Sequence, residues 1–290
     1  MNVQINDKKL YIAHYDSMSD FVTTLKNESV NLTVEERKNF SAFDNDNRNF
    51  FGAYDFEESI ELGLNGDAKS GRNIKKLVEE LEFELDLTEA TDTNYTFSDE
   101  ASGLLDVGTY LENNPEYWLH SSEEITKRNE LKIHVQLAVS GKMSASEYNK
   151  RVASVVALVD KLEELKYSVH LVVSISTGNR GSHNDSKNSK IINYITIKNS
   201  AENYDFDAMA FISNSAFFRR LGFRAYELAN DELKKTIDVV KDGGYGYVTT
   251  NELEDADLNI QIENVETSKD FIYKLVNEIE NKTEIETSEF

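Results

Sequence analysis

A strand–helix–strand pattern between residues 131 and 175 constrains the fold of this chain more than any other segment. Apolar residues alternate with other residues in two runs, which is the period of a strand. The apolar positions are Ile133, Val135, Leu137 and Val139 in the first run and Val169, Leu171, Val173 and Ile175 in the second. Between the runs, apolar residues from Val152 to Leu165 recur at helical spacing. This βαβ pattern predicts an α/β fold with a mostly parallel sheet flanked by helices.

The remaining residues are interpreted as two further regions around this α/β sandwich domain, which we place at residues 126–280. Residues 1–125 are predicted to be mainly helical, because short apolar stripes follow capping residues, which are Ser17 or Ser19, Asp55 and Asp106. The strongest helical pattern there covers residues 73–87, and a polar stretch at 90–102 is predicted to be a loop. Residues 281–290 form an acidic tail. Further strands are predicted at 191–197, 207–212, 245–249 and 258–262, and further helices after Asn214 and at 268–280.

The net charge of −22 disfavours binding to nucleic acid or to anionic membranes, because phosphate groups are bound by clusters of Lys and Arg. Basic protein partners, divalent cations and mimicry of DNA are compatible with this charge. The chain has no cysteine, which excludes disulfides, thiolate nucleophiles and zinc–cysteine sites. No apolar run approaches the length of a membrane span and the amino terminus has no signal-peptide pattern, so we expect a cytoplasmic protein.

The turn between the first strand and the helix contains the first candidate binding residues, Ser140, Lys142 and Ser144. We expect this turn at the carboxyl end of a strand and at the start of a helix, where α/β proteins bind ligands. Ser144 and Glu147 also match the S-x-x-E capping box, which accounts for both residues without a ligand. The pattern is therefore compatible with a binding site and with a plain helix cap.

The same turn resembles the metal-binding loop of von Willebrand factor A (vWA) domains, in which an Asp-x-Ser-x-Ser motif follows an apolar strand. Ser140 matches the first serine, whereas Ala138 replaces the metal-binding Asp and Lys142 replaces the second Ser. The resemblance implies a Rossmann-like or vWA-like fold in the carboxyl-terminal half. Because a lysine ammonium repels a divalent cation, we expect no metal and no other cofactor at this degenerate loop.

Two further groups of basic residues are candidates for binding. Arg180 and His183 lie in a polar loop at 177–189, which either binds an anion or is only solvated, and which lacks both glycine-rich phosphate-binding motifs. Arg219, Arg220 and Arg224 form a basic stripe on an aromatic helix. That stripe is interpreted either as a protein-contact face or as a set of arginines that pair within this acidic chain.

Acidic residues and histidines give weaker indications. Asp205 and Asp207 would share one face of a strand and, with Glu147 or Asp185, would supply the carboxylates of a metal-dependent nuclease. No E-x-K or H-x-H pattern accompanies them, and ordinary turn-forming aspartates are the alternative. His134 and His170 are predicted to lie on neighbouring strands and are interpreted as satisfied core or sheet-surface histidines rather than as ligands. Residues 252–290 contain twelve acidic and three basic residues, which is compatible with a DNA-mimicking surface or a solvated edge.

Three segments resemble a family of bacteriophage and prophage proteins that has no established activity. They are Phe51–Leu62, Gly103–Leu111 with the later Pro115-Glu116, and the βαβ unit with Arg151–Asp160 and Leu165–Val169. The similarity covers residues 50–260, and Lys166 stands where the family usually has Gly. The resemblance implies a phage-encoded protein in the cytoplasm of an infected cell, with association to the virion as a further option.

The sequence therefore favours a non-enzymatic interaction or assembly protein whose partner is a phage or host protein, and we assign no catalytic residues. The alternatives are a divalent-metal-dependent nuclease or nucleotide-acting enzyme, and an acidic DNA mimic that inhibits a host protein. The interaction hypothesis expects an exposed apolar patch rimmed by polar groups. The nuclease hypothesis expects at least three converging carboxylates. No motif identifies a small-molecule ligand.

Overall fold

A computed structural model describes residues 2–6, 10–44, 48–82, 94–98, 104–111, 117–122, 130–165, 167–178, 190–202, 206–236, 251–266, 274–276 and 279. The strands in these residues are β1 (Asn2–Asn6), β2 (Leu10–Tyr15), β3 (Asn94–Ser98), β4 (Leu104–Leu105), β5 (Trp118–Ser122), β6 (Glu130–Gln136), β7 (Ser168–Gly178), β8 (Lys190–Lys198) and β9 (Leu258–Gln261). The helices are α1 (Met18–Val30), α2 (Val34–Arg37), α3 (Arg48–Phe51), α4 (Phe56–Asn65), α5 (Ala68–Glu82), α6 (Val107–Leu111), α7 (Ala145–Glu164), α8 (Phe206–Ile212) and α9 (Phe223–Thr236).

The chain divides into two compact units, which are described separately. Unit 1 comprises Met1–Glu84 and Glu130–Phe290, and unit 2 comprises Leu85–Asn129. Unit 1 contains a six-stranded sheet in the order β1-β2-β8-β7-β6-β9. Three neighbouring pairs are parallel, namely β2–β8, β6–β7 and β6–β9, whereas β1–β2 and β7–β8 are antiparallel. The predicted α/β class with a mostly parallel sheet is therefore confirmed.

The βαβ unit that the sequence predicts is formed by β6, α7 and β7. The two strands pair in parallel register from Glu130 opposite Ser168 to Gln136 opposite Ser174. Helix α7 begins after Ser144, whose hydroxyl oxygen accepts a hydrogen bond from the backbone N–H of Glu147 at 3.1 Å. This bond satisfies one of the N–H groups that a helix start leaves without an intrahelical partner.

One face of the sheet in unit 1 packs against helices. Phe21 of α1 contacts Tyr15 of β2 edge-on, with ring centroids 4.9 Å apart. A six-residue π-helical turn at Phe217–Gly222 precedes α9, and a Cβ atom on Gly222 would approach the Ile175 side chain to 2.9 Å. Gly222 thus allows this turn to lie directly on the sheet. The opposite face carries polar side chains of β6, β7 and β8 and contains the hydrogen-bond network described below.

Several predictions for the amino-terminal region change with the structure. Its mainly helical character is not confirmed, because β1 and β2 join the sheet and β2 pairs with β8. Helices α1 and α4 begin after the predicted caps Ser17 and Asp55, which confirms both caps. Helix α5 begins five residues before its predicted start because the Asp67 carboxylate accepts hydrogen bonds from the N–H groups of Lys69 and Ser70.

Two other predicted elements are wrong. The predicted strand at 207–212 is helix α8, and the predicted loop at 90–102 contains strand β3. Met209, Ala210, Phe211 and Ile212 are all buried, so the apolar run shows no alternation that would distinguish a strand from a buried helix. The predicted strand at 245–249, the acidic tail at 281–290 and most of the predicted helix at 268–280 lie outside the described residues.

Unit 2 contains a three-stranded antiparallel sheet in the order β3-β5-β4. Helix α6 follows β4 directly, and its start is fixed by Asp106. The Asp106 carboxylate accepts a hydrogen bond from the N–H of Thr109 at 2.9 Å, and the Asp106 carbonyl accepts one from Tyr110 at 3.0 Å. The predicted Asp106 cap is therefore confirmed.

Candidate functional site

The predicted binding turn in unit 1 is used for local structure. The Ser140 hydroxyl accepts a hydrogen bond from the N–H of Lys142 at 3.4 Å, and Ser144 caps α7. Glu147 forms an ion pair with Arg151 at 2.7 Å rather than completing the capping box. A cleft of about 630 Å³ adjoins this helix start; it is lined by Ser144, Ser146, Glu147, Lys150, Arg151, Val265 and Glu266. The cleft mixes acidic and basic side chains, so its charge selects neither an anion nor a cation.

The three arginines of the predicted basic stripe are buried, which argues against a protein-contact face and favours the alternative that they pair within the chain. Arg219, Arg220 and Arg224 are 1%, 0% and 2% exposed. Each guanidinium donates hydrogen bonds to oxygen atoms of the amino-terminal segment. The bonds run from Arg219 to the Phe50 carbonyl, from Arg220 to the carbonyls of Ala42, Asp44, Ala53 and Tyr54, and from Arg224 to the Glu28 carbonyl and the Ser29 hydroxyl.

Aromatic rings complete the environment of these arginines. The guanidinium carbon lies 4.0 Å from the ring centroid of Phe50 for Arg219, and 4.2 Å from that of Phe51 for Arg220. Burial lowers the pKa of all three groups because it disfavours their charged form. Backbone carbonyls and aromatic faces compensate for this loss of hydration. The three arginines therefore connect residues 219–224 to backbone and hydroxyl oxygens of the amino-terminal segment. Because they are buried, they present no contact surface.

The other candidate residues are not brought together in the described part of the chain. Arg180, His183, Asp185 and Asp205 lie outside it. Asp207 lies in the first turn of α8, and its backbone carbonyl accepts a hydrogen bond from the N–H of Asp67 at 3.1 Å. Among the described residues, no group of three or more His, Asp or Glu side chains is arranged to hold a metal ion.

A hydrogen-bonded relay crosses the polar face of the sheet in unit 1. Nδ1 of His134 lies 2.7 Å from Oδ1 of Asn259, and Nε2 of His134 lies 2.8 Å from the hydroxyl oxygen of Ser174. The Asn259 amide also pairs with the backbone of Leu253: Oδ1 accepts from the N–H at 2.9 Å and Nδ2 donates to the carbonyl at 3.2 Å. This pairing assigns the oxygen of the amide to the His134 side. Nδ1 of His134 is therefore the protonated nitrogen, and Nε2 accepts the Ser174 O–H.

A second set of contacts extends the network across the sheet. The backbone N–H of Asn251 donates to the Gln136 side-chain carbonyl at 2.7 Å, and the Asn251 amide donates to the Tyr194 hydroxyl at 2.8 Å. The Tyr194 ring stacks on His14 with centroids 5.0 Å apart. Burial lowers the pKa values of His14 and His134 and raises that of Tyr194. The network thus favours neutral side chains.

The relay has the donor and acceptor order of a serine nucleophile with its base and orienting group. His134 and Ser174 are nevertheless fully buried, and Asn259 carries no charge to stabilise an imidazolium. In this arrangement the relay joins β9, β6 and β7 and attaches the segment around Leu253 to the sheet. The prediction that His134 is a hydrogen-bonded sheet histidine is confirmed. Ser174 and Asn259 were missed, although the alternation of polar and apolar residues in β7 contains the signal for Ser174.

The exposed apolar residues of unit 2 form the most unusual surface in the described residues. Leu105, Val107, Tyr110 and Leu111 are 45%, 58%, 51% and 73% exposed. Val107 and Leu111 are four residues apart and lie on one face of α6. The rings of Tyr110 and Tyr117 contact edge-on at 5.1 Å, the Tyr117 and Trp118 rings are 5.9 Å apart, and Leu105 is opposite Trp118 in the sheet. We call these residues the unit-2 surface; it consists of the exposed Leu105, Val107, Tyr110 and Leu111 together with the half-buried Tyr117 and Trp118.

Comparisons with known proteins identify a family without indicating an activity. Within the described residues, no helix combines the length and the apolar character that a membrane span requires. No curated protein and no solved structure matches the chain. The profile of a family described as a domain of unknown function, DUF7192, matches residues 2–287. Because this match covers nearly the whole chain, the protein belongs to the DUF7192 family.

Proposed function

We propose that this protein is a non-enzymatic interaction protein that binds another protein through the unit-2 surface. The observation that carries the proposal is the exposure of Leu105, Val107, Tyr110 and Leu111 within seven consecutive residues. Single exposed apolar residues are common on proteins, but clusters of leucine and aromatic side chains are typical of protein-binding sites. Tyr and Trp in particular contribute strongly to binding at such sites.

Hydrogen bonds link the two segments that carry this surface, which also supports a binding role. Asp106 caps α6, and its own N–H donates to the Tyr117 carbonyl at 3.0 Å, linking the start of the helix to the segment before β5. The Tyr110 and Tyr117 rings contact each other across this link. A surface that is ordered before binding loses less conformational entropy when a partner docks.

The resemblance to phage and prophage proteins supports a phage origin. On this proposal the protein acts in the cytoplasm of an infected cell or within the virion, and its partner is a phage or host protein. The mixed sheet of unit 1, with the turn at Ser140 degenerate at Ala138 and Lys142, is compatible with a vWA-like scaffold that has lost its metal.

The nuclease alternative is less well supported. It relied on Asp205 and Asp207 sharing one face of a strand, whereas Asp207 lies in helix α8. The DNA-mimic alternative relied on residues 252–290. Most residues between 267 and 290 lie outside the described part of the chain. The protein-binding function is therefore the one that the described geometry favours.

A matched pair of double variants tests the proposal. Val107→Ser with Leu111→Ser removes two apolar side chains from the unit-2 surface. Val30→Ser with Val34→Ser removes two valines from unit 1 that are 66% and 74% exposed. Each protein is used to capture partners from cells that express the native gene. We expect at least one protein to bind the wild type and the unit-1 variant but not the unit-2 variant. Identical capture by all three proteins would contradict the proposal.

A further inference from the structure

We infer that the partner of the unit-2 surface is a protein whose apolar contact patch is surrounded by lysine and arginine side chains. This inference rests on the proposed function and adds the chemistry of the partner. It follows from the distribution of charged residues along the sequence that contains this surface. Apolar contacts at the centre of an interface supply affinity, whereas charges at its rim select the partner and accelerate association.

The part of the chain that carries the unit-2 surface is strongly acidic. Unit 2 contains ten Asp and Glu residues and two Lys and Arg residues, which gives it a net charge of −8. Both basic residues, Lys127 and Arg128, lie at its carboxyl-terminal end. Between residues 77 and 126 the chain contains no Lys or Arg and 14 Asp or Glu residues. A region of this length without a cation cannot neutralise its acidic groups through ion pairs of its own.

Acidic residues also adjoin the apolar side chains themselves. Asp106 separates Leu105 from Val107 in the sequence, and its carboxylate accepts a hydrogen bond from the backbone N–H of Thr109. In the sequence, Glu112 directly follows Leu111 and Glu116 directly precedes Tyr117. An apolar patch with acidic neighbours is complementary to a patch with basic neighbours.

The same charge argues against the other classes of occupant. A second copy of this chain would bring two surfaces of charge −8 together, and like charges across an interface are unfavourable. Nucleic acid and anionic membranes repel the surface for the same reason. A basic protein is attracted over distances of about 10 Å at moderate ionic strength, which raises the association rate.

Two designed peptides test the inference directly. They have the same length and the same helical pattern of leucines; one carries lysine at every polar position and the other carries glutamate. Binding of each peptide is measured by calorimetry to the wild type, to Val107→Ser with Leu111→Ser, and to the unit-1 control Val30→Ser with Val34→Ser. We expect the lysine peptide to bind the wild type and the control equally, and the unit-2 variant about tenfold more weakly or worse. Its affinity should fall as salt is raised, and the glutamate peptide should not bind.

The possible outcomes separate this inference from the proposed function. Equal binding of both peptides, with dependence on Val107 and Leu111, would overturn the basic partner and leave the docking surface intact. Equal binding of the lysine peptide to the wild type and the unit-2 variant would overturn both, because the peptide would then bind another acidic surface. If neither peptide binds, the inference of a basic partner is overturned. The capture experiment then tests whether the unit-2 surface binds any protein. Finally, a dimer seen by sedimentation and lost in the unit-2 variant would identify a second copy as the occupant.

Discussion

The arginines of residues 219–224 and the apolar residues of the unit-2 surface reverse the usual distribution of side chains between core and surface. Three guanidinium groups are buried, whereas Val107 and Leu111 are 58% and 73% exposed. The two exceptions differ in how the structure accounts for them. Buried arginines are expected when most of their hydrogen bonds are made, and here their N–H groups donate to backbone carbonyls and a serine hydroxyl while aromatic rings contact their guanidinium groups. In the described part of the chain, Leu105, Val107, Tyr110 and Leu111 instead remain largely exposed.

This difference separates a structural role from a binding role. The arginines contribute to the fold of unit 1, because they connect α9 and the preceding π-helical turn to carbonyls more than 160 residues earlier in the chain. The exposed side chains contribute little to the stability of the isolated chain, which agrees with the binding role that we propose for them. Substitutions at the two regions should therefore have very different effects on folding.

The largest effect is expected for Arg220→Met. Arg220 donates to the carbonyls of Ala42 and Asp44 at 2.9 and 2.6 Å, and its removal takes away the guanidinium donor of the buried Ala42 carbonyl. We expect a loss of about 3–5 kcal/mol in the free energy of unfolding, measured by urea denaturation. Arg37→Met is the matched control, because the Arg37–Glu57 ion pair is partly exposed, and should cost about 1 kcal/mol or less. Equal losses of unfolding free energy in the two variants would mean that burial does not increase the contribution of Arg220 to stability.

A smaller effect is expected for Asn259→Ala in the relay. The substitution removes the acceptor of the His134 Nδ1–H and the two contacts to the Leu253 backbone. Leaving one buried donor unpaired costs about 1–3 kcal/mol. Asn264→Ala is the control, because the Asn264 side chain makes one exposed hydrogen bond of 3.4 Å to Gln261. A stability loss no greater than that of this control would show that the side-chain hydrogen bonds of Asn259 do not stabilise the attachment of β9 to the sheet.

His134 is a further buried polar side chain, and its protonation state depends on pH. Burial lowers its pKa in the folded protein below the ordinary value of 6.5, so the unfolded chain binds the proton more readily. Stability from this residue is present above the unfolded-state pKa and is lost as pH falls through that value towards the folded-state pKa. The variant His134→Gln should therefore show a weaker loss of stability on acidification than the wild type, measured by urea denaturation from pH 7.5 to pH 5. Parallel pH profiles would contradict the depressed pKa.

Local sequence signals predicted those elements of the fold that are recognisable from neighbouring residues in the chain. The alternation in β6 and β7 and the caps at Ser17, Ser144 and Asp106 depend on neighbouring residues, and all are present. The environment of Arg220 could not be predicted, because its acceptors lie far away in the chain and are backbone atoms that any sequence provides. The same limit applies to the unit-2 surface: the helix start at Asp106 was predictable, whereas the exposure of the residues after it depends on tertiary packing.

The smallest effect on folding is expected for Val107→Ser with Leu111→Ser. Both side chains are mostly exposed, so the free energy of unfolding should change by less than about 0.5 kcal/mol. Val155→Ser in α7 is the contrasting control, because Val155 is 1% exposed and its replacement should cost about 2 kcal/mol or more. Thermal and urea denaturation measure both. If the double variant lost as much stability as the core variant, Val107 and Leu111 would be covered in the folded protein. The observation on which the proposed binding function depends would then be removed.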